Sequence, residues 1–272
     1  MVQSHGCFVW YELTTPDIEA AHAFYAAVLG WGARDASMLG MAYRVLTVED
    51  TPMAGLMSLP EEACRAGIAP HWIGYVGVDD VDTAAMRVMS LGGTVHVPPM
   101  DVVDISRFSI IADPEGTTLA LIKWLKPTDA PSTALAAPGR AGWHELLAAN
   151  WEKAFAFYAA LFGWQKAGAQ QGAMGTYQQF TAAGETIGGM FTKPPTLPLP
   201  FWLYYFNVAD IEVASRRVEA GGGEILYGPM EVPGGAWILH CADPQGAIFA
   251  LLDRRVRKAV GYYVPGYPDR RK

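Results

Sequence analysis

Two carboxylates and two imidazoles are the side chains of this sequence best placed to do chemistry. Glu12 and Glu145 sit in matching contexts, Trp10-Tyr11-Glu12-Leu13 and Trp143-His144-Glu145-Leu146. A carboxyl held among aromatic rings has its charged form disfavoured, so it can orient a ligand N–H or act as a general base. Side chains alternate along a strand, so each Glu shares a face with the Trp two residues before it. His144 therefore points away from Glu145, and the two cannot hold one ion in one cleft. A metal reading draws on His144 together with His240, two imidazoles on different strands. Tyr75, Tyr205 and Trp237 add aromatic surface. With Trp10, Trp143, His144 and His240 they make the expected ligand-binding set, and Glu12 and Glu145 are the candidate catalytic groups. An aromatic-lined, weakly polar cleft suits planar or apolar ligands. GxGxxG, Walker, GxSxG and HExxH motifs are missing from the sequence, which sets aside the enzyme classes they mark.

The elements that must position these groups occur twice. Trp10, Glu12, Phe24, Tyr25, Gly30 and Trp31 return as Trp143, Glu145, Phe157, Tyr158, Gly163 and Trp164, each displaced by 133 (143 − 10). An internal repeat of this length divides 272 residues into two modules. Phe8 to Leu13 reads as a strand closed by Thr14-Thr15-Pro16, with Thr15 as helix cap and Pro16 at the first helical position. Ile18, Ala21, Phe24, Tyr25 and Val28 form one apolar helical stripe, and Gly30 stops it. The second copy keeps the stripe from Trp151 to Leu161, with Asn150 as cap and Gly163 as stop.

Short strands follow at Tyr43 to Val48 and Met53 to Ser58, matched by Tyr177 to Thr181 and Thr186 to Thr192. A second strand–helix unit then opens in each copy. Trp72 to Val78 leads to Asp80 and a helix to Leu91; Trp202 to Val208 leads to Asp210 and a helix to Gly221. Strands follow at Thr94 to Val97 and at Glu224 to Tyr227. The displacement is now 130 (210 − 80), so the second copy has lost three residues in between. Phe108 to Ala112 and Thr118 to Trp124 flank Asp113-Pro114-Glu115-Gly116. Trp237 to Ala242 and Ile248 to Leu252 flank Asp243-Pro244-Gln245-Gly246. Pro fixes φ and Gly supplies a positive φ, so both tetrapeptides read as hairpin turns. The expected division is a first module over 6–125, a Pro/Ala-rich linker over 126–140, a second module over 141–253 and a basic, aromatic tail over 254–272.

Net charge is −7 with a pI near 5.3, so no global field draws the chain to nucleic acid. Apolar runs are too short to span a bilayer. Three widely spaced cysteines without a CxxC fit reduced thiols, and no signal-peptide pattern opens the chain. A cytoplasmic monomer or homodimer with a small-molecule partner is expected.

The helix ending in Phe-Tyr-x-x-x-x-Gly-Trp, the Val78-Asp79-Asp80 and Val208-Ala209-Asp210 helix openings and the Asp-Pro-x-Gly hairpins resemble the vicinal-oxygen-chelate superfamily. This is the glyoxalase I, bleomycin-resistance-protein and extradiol-dioxygenase group, here in a two-module, glyoxalase-like form covering about residues 6 to 253. The resemblance implies an α+β fold of two tandem modules, each of paired βαβββ units forming a curled mixed sheet around a cleft. It also implies metal-ligand positions, and these fall at Trp10 and Trp143, Ile73 and Leu203, Ala120 and Ala250, and near Leu56 and Met190. None is a donor that a divalent ion needs. The expected function is therefore binding or sequestering a small organic ligand, with no cofactor. The alternative is a lyase, isomerase or dioxygenase-type enzyme acting on a small oxygenated substrate through a divalent metal or a cleft Glu.

Overall fold

The computed structural model describes residues 5–37, 42–126, 136–172 and 175–255. Most of the expected linker and the tail tyrosines Tyr262, Tyr263 and Tyr267 lie outside the described residues. In chain order the first half runs β1 (Phe8–Thr15), α1 (Ile18–Leu29), β2 (Gly32–Asp35), β3 (Tyr43–Val48), β4 (Thr51–Ser58), α2 (Glu61–Arg65), β5 (His71–Gly77), α3 (Val81–Ser90), β6 (Thr94–Val102), β7 (Ser106–Ala112) and β8 (Thr118–Trp124). The second half runs β9 (Ala141–Ala148), α4 (Trp151–Phe162), β10 (Gln165–Gly172), β11 (Gly175–Ala182), β12 (Glu185–Thr192), β13 (Phe201–Asn207), α5 (Ile211–Ala220), β14 (Glu224–Glu231), β15 (Trp237–Ala242) and β16 (Ile248–Asp253).

Each half forms one open eight-stranded sheet, in the orders β2-β3-β4-β1-β5-β8-β7-β6 and β10-β11-β12-β9-β13-β16-β15-β14. The paired βαβββ units are visible in the register. β1 runs parallel to β4 and β5 parallel to β8, while β1 and β5 join the two units antiparallel at the centre. The second sheet repeats this through β9–β12, β13–β16 and β13–β9.

Several local expectations change. Asp17, not Thr15, caps α1: its Oδ1 accepts from the Ala20 N–H at 3.0 Å, while Thr15 completes β1 opposite Ser58. β2 and β10 carry no apolar alternation, and they can be polar because they are edge strands with little to bury. β6 and β14 run on through Pro98-Pro99 and Pro229. They too are edge strands, where a missing N–H costs no ladder bond. α2 has no counterpart because residues 193–200 form a proline-rich loop in its place.

One face of both sheets is buried in a single core shared by the halves, including Leu13, Phe24, Tyr25, Trp31, Leu146, Phe157, Tyr158, Trp164, Phe206 and Phe249. The repeated motifs build this seam reciprocally. The Tyr25 hydroxyl donates to Asp243 Oδ2 at 3.1 Å, and the Tyr158 hydroxyl donates to Asp113 Oδ2 at 3.0 Å. Each Asp uses its other oxygen to close its own turn, Asp113 on the Glu115 and Thr117 N–H groups and Asp243 on those of Gln245 and Ala247. Gly30 and Gly163 adopt left-handed φ of 75° and 74°, ending the helices so that the following Trp turns inward. The Trp31 indole then donates to the Gly139 carbonyl and that of Trp164 to the Gly6 carbonyl, both at 2.7 Å.

Removing one side of such a pair strands a buried donor. Asp113→Ala and Asp243→Ala should each lower stability by about 1–3 kcal/mol in urea unfolding. The transition should stay single, because the two halves share one core. Two separated transitions would show that the modules fold independently.

Candidate functional site

With one face of each sheet committed to the seam, the chemistry is left to the other. In the first half that open face carries Ile73, Tyr75, Ala120 and Ile122 with Val9, Trp10, Phe108, Ile110 and Trp124 packed on them. In the second it carries Leu147, Phe191, Leu203, Tyr205, Ala250 and Leu252 with Trp143, Tyr177 and Ile238. A register shift between Phe8 and Trp10 lets Phe8 enter the seam while Trp10 turns to the open face.

Glu12 and Glu145 lie on these open faces, each 8% exposed. Tyr75 donates to Glu12 Oε1 and Tyr43 to Glu12 Oε2, both at 3.0 Å. Trp10 in turn hydrogen-bonds Tyr43. The second half repeats the set. Tyr205 donates to Glu145 Oε2 at 2.8 Å, Tyr177 also bonds Glu145, and the Trp143 indole donates to the Tyr177 hydroxyl at 2.8 Å. Burial pushes both Glu pKa values up, and the tyrosine hydrogen bonds only partly offset this. The same burial, with the nearby carboxylate, lifts the four tyrosines far from ionisation.

Tyr43 and Tyr177 were not anticipated from sequence. They reach the carboxylates because β4 and β12 present glycine beneath their rings. A Cβ on Gly55 would fall 2.0 Å from the Tyr43 hydroxyl oxygen, and one on Gly189 would fall 2.3 Å from Tyr177 Cε1. The signal was in the repeat, since Tyr43/Tyr177 and Gly55/Gly189 share one offset of 134 (177 − 43, 189 − 55).

Seven of the nine expected site residues are thus divided between two equivalent clusters: Trp10, Glu12 and Tyr75 in one, Trp143, Glu145, Tyr205 and His240 in the other. Two are elsewhere. His144 is buried in the seam, stacked on Phe8 with ring centroids 4.0 Å apart. Its Nδ1 lies 2.7 Å from the Ile187 carbonyl, so that nitrogen carries the proton, and Nε2 accepts from the Tyr11 hydroxyl at 2.6 Å. Burial lowers its pKa to about 4 and keeps it neutral. Trp237 packs with Leu239 and Cys241 on the helix-covered face, because it is odd-numbered on a strand whose even positions, Ile238 and His240, face the opening. His144 and His240 therefore occupy opposite faces and cannot supply two imidazoles to one ion.

The positions implied for metal ligands also resolve. Trp10, Ile73 and Ala120, and Trp143, Leu203 and Ala250, are on the open faces, whereas Leu56 and Met190 are in the seam core. Among the described residues no three His, Cys, Asp or Glu side chains are grouped to hold a metal ion. The residues at these positions do not fit such an ion. A cavity of about 200 Å³ lies away from both Glu clusters, at the seam between Gly30, Gly139 and the start of α5. Among the described residues no helix is long and apolar enough to cross a membrane.

Comparisons with known proteins match this fold. The family model for the glyoxalase/bleomycin resistance protein/dioxygenase superfamily matches residues 8–121 and again 140–251. A putative glyoxylase, CFP32, of Mycobacterium tuberculosis is 32% identical over 246 residues, covering 89% of this chain and 93% of that protein. The anthracycline biosynthesis protein DnrV of Streptomyces peucetius is 28% identical over 263 residues, covering 92% and 94%. Among solved structures, a Mn(II)-bound glyoxalase from Novosphingobium aromaticivorans aligns with a TM-score of 0.64 at 14% identity, covering 92% of this chain and 82% of that one. An extradiol ring-cleaving dioxygenase from B. fuscum aligns with a TM-score of 0.65 at 16% identity, covering 90% and 70%.

A raised carboxyl pKa has a definite linkage sign. Native Glu12 holds a proton that the unfolded chain releases near its ordinary value of 4.5. Its stabilising contribution is complete below that pH and fades as pH rises through the higher native value. Relative to Glu12→Gln, the wild type should lose stability as the pH is raised above 4.5, measured by urea unfolding at a series of pH values. A constant offset from the amide's own hydrogen bonds leaves this slope untouched. Parallel stability curves would mean that Glu12 is not desolvated.

Proposed function

Since the chain belongs to the glyoxalase/bleomycin resistance protein/dioxygenase superfamily, we propose that it binds a small, flat organic molecule on the open face of its sheets without the divalent metal used by other members of the fold. The observation that carries this reading is the substitution pattern. Aromatic and aliphatic side chains stand where donors would be needed, and the one carboxyl on each face is engaged by two tyrosines. A soft, ring-lined surface with a single carboxyl favours stacking and desolvation over coordination. Glu12 and Glu145 then serve as hydrogen-bond anchors for a ligand's N–H or O–H. The name of the Streptomyces relative supports a polycyclic aromatic ligand class, and that of the mycobacterial relative supports a small oxygenated one.

A thermal-shift screen of flat aromatic ketones and phenols tests the reading. A binder at 100 times its dissociation constant should stabilise the protein by about 2.7 kcal/mol. The affinity should be unchanged by chelator, and elemental analysis of protein prepared without chelator should find less than one metal per chain. Stoichiometric Mn, Fe, Ni or Zn, or a screen in which nothing shifts, would overturn it.

A further inference from the structure

The open faces differ at a position where the second half alone carries an imidazole. His240 on β15 stands where β7 has Ile110, at the same offset that relates Tyr205 to Tyr75 (240 − 110 and 205 − 75, both 130). The Tyr205 hydroxyl lies 2.8 Å from Glu145 Oε2 and 2.8 Å from His240 Nε2. It thus joins a buried carboxyl to a partly exposed imidazole. The groups facing His240 are Tyr205 of β13, Tyr227 of β14 with ring centroids 5.5 Å away, and Ala250 of β16; Glu145 of β9 is reached through Tyr205.

A phenol has one proton and cannot donate to both neighbours at once. The chain therefore has two arrangements of equal net charge. In one, Glu145 is a carboxylic acid donating to Tyr205, which donates to neutral His240. In the other, Tyr205 donates to the Glu145 carboxylate and an imidazolium donates to Tyr205. They interconvert when the Glu145 O–H bond breaks as a Tyr205 O–H bond forms, and the original Tyr205 O–H bond breaks as a His240 N–H bond forms.

We propose that Glu145, Tyr205 and His240 form a proton relay that makes the open face of the second module an acid–base site for an enolisable aromatic carbonyl compound, a chemistry absent from the first. This rests on the proposed occupation of that face by a flat ligand. Once its proton has passed outward, the Glu145 carboxylate takes a proton from the carbon next to the ligand carbonyl. That C–H bond breaks, a Glu145 O–H bond forms, and the electron pair stays on the ligand as an enolate. As Glu145 gains the proton its hold on the Tyr177 hydroxyl weakens, freeing that O–H to donate to the enolate oxygen. Returning the proton to the same or another atom completes an exchange or a tautomerisation. Desolvation raises the Glu145 pKa and lowers that of His240 to about 4, so of these two arrangements burial favours the uncharged one over the ion pair. Glu145 and Tyr177 meet the ligand; Tyr205 and His240 act through Glu145. The first module has Glu12 and its two tyrosines but ends at Ile110, so its carboxyl has no outlet of this kind.

The probe is 2-indanone in heavy water with the full-length protein, its deuterium uptake followed by proton NMR and its binding by saturation transfer. The wild type should speed exchange roughly 100-fold over the free ketone. His240→Gln and Tyr205→Phe should lose most of that gain while still binding, with the melting temperature confirming that each folds. In protein labelled with nitrogen-15 at histidine, Glu145→Gln should shift the His240 titration, and the same change made on Tyr205→Phe should not. Undiminished exchange in His240→Gln, or a His240 titration blind to Glu145, overturns the relay. Saturable binding without exchange overturns the relay and leaves the ligand reading standing; neither binding nor exchange overturns both.

Discussion

The tyrosine–aspartate pair, made twice across the seam, is the constraint from which the rest of the molecule follows. Asp113 and Asp243 each have one oxygen closing a hairpin in their own module and the other receiving a hydroxyl from the opposite one. Those hydroxyls also accept from the Trp72 and Trp202 indoles, at 2.9 and 3.2 Å. All these groups are buried, so parting the modules would strip one oxygen of each carboxylate, both phenol O–H groups and the Trp31 and Trp164 indole N–H groups of their partners together. The penalty is collective, and either half alone would be a poor fold. The same hairpins reach the opposing helix starts: Gln245 bonds the backbone of Asp17, and Glu115 accepts from the Asn150 N–H.

That commitment decides which face is free. Once Phe24, Tyr25 and Trp31 and their copies turn toward the seam, strand alternation sends Glu12 and Glu145 the other way. What would be a shallow groove of apolar strands acquires a polar centre because Gly55 and Gly189 leave room for a tyrosine ring to lie across them. The carboxylate, its two phenols and the adjoining indole then satisfy one another. Such a set holds a carboxyl whose charged form is disfavoured while its oxygens stay hydrogen-bonded.

Much of this was legible in the chain. The 133-residue offset showed the duplication, the apolar stripes and glycine stops showed α1 and α4, and the Asp-Pro-x-Gly turns showed the closing hairpins. The faces were read correctly wherever simple alternation holds, as for Trp143 and Glu145. The misses have local causes. Trp237 was given to the cleft because it is aromatic and close to His240, although three residues of separation on a strand reverse the face. His144 was drawn in as a polar residue beside Glu145, and a buried imidazole satisfied by Tyr11 and a carbonyl leaves no mark in sequence. Tyr43 and Tyr177 were passed over because their strands pair one removed from those of the glutamates, and only the register brings phenol to carboxyl.

The duplication also explains where the halves could part company. A seam residue answers to its counterpart in the other copy, so Tyr25 could not change without stranding Asp243, nor Asp113 without stranding Tyr158. The Glu–Tyr–Tyr–Trp set is closed in the same sense within each module, since altering one member orphans the others. His240 lies just beyond that closed set, at a partly exposed edge where Ile110 packs against apolar neighbours in the first copy. A new function can enter a duplicated scaffold at such a position, and an imidazole carried by one face alone is found there, within hydrogen-bonding reach of the buried acid's own tyrosine.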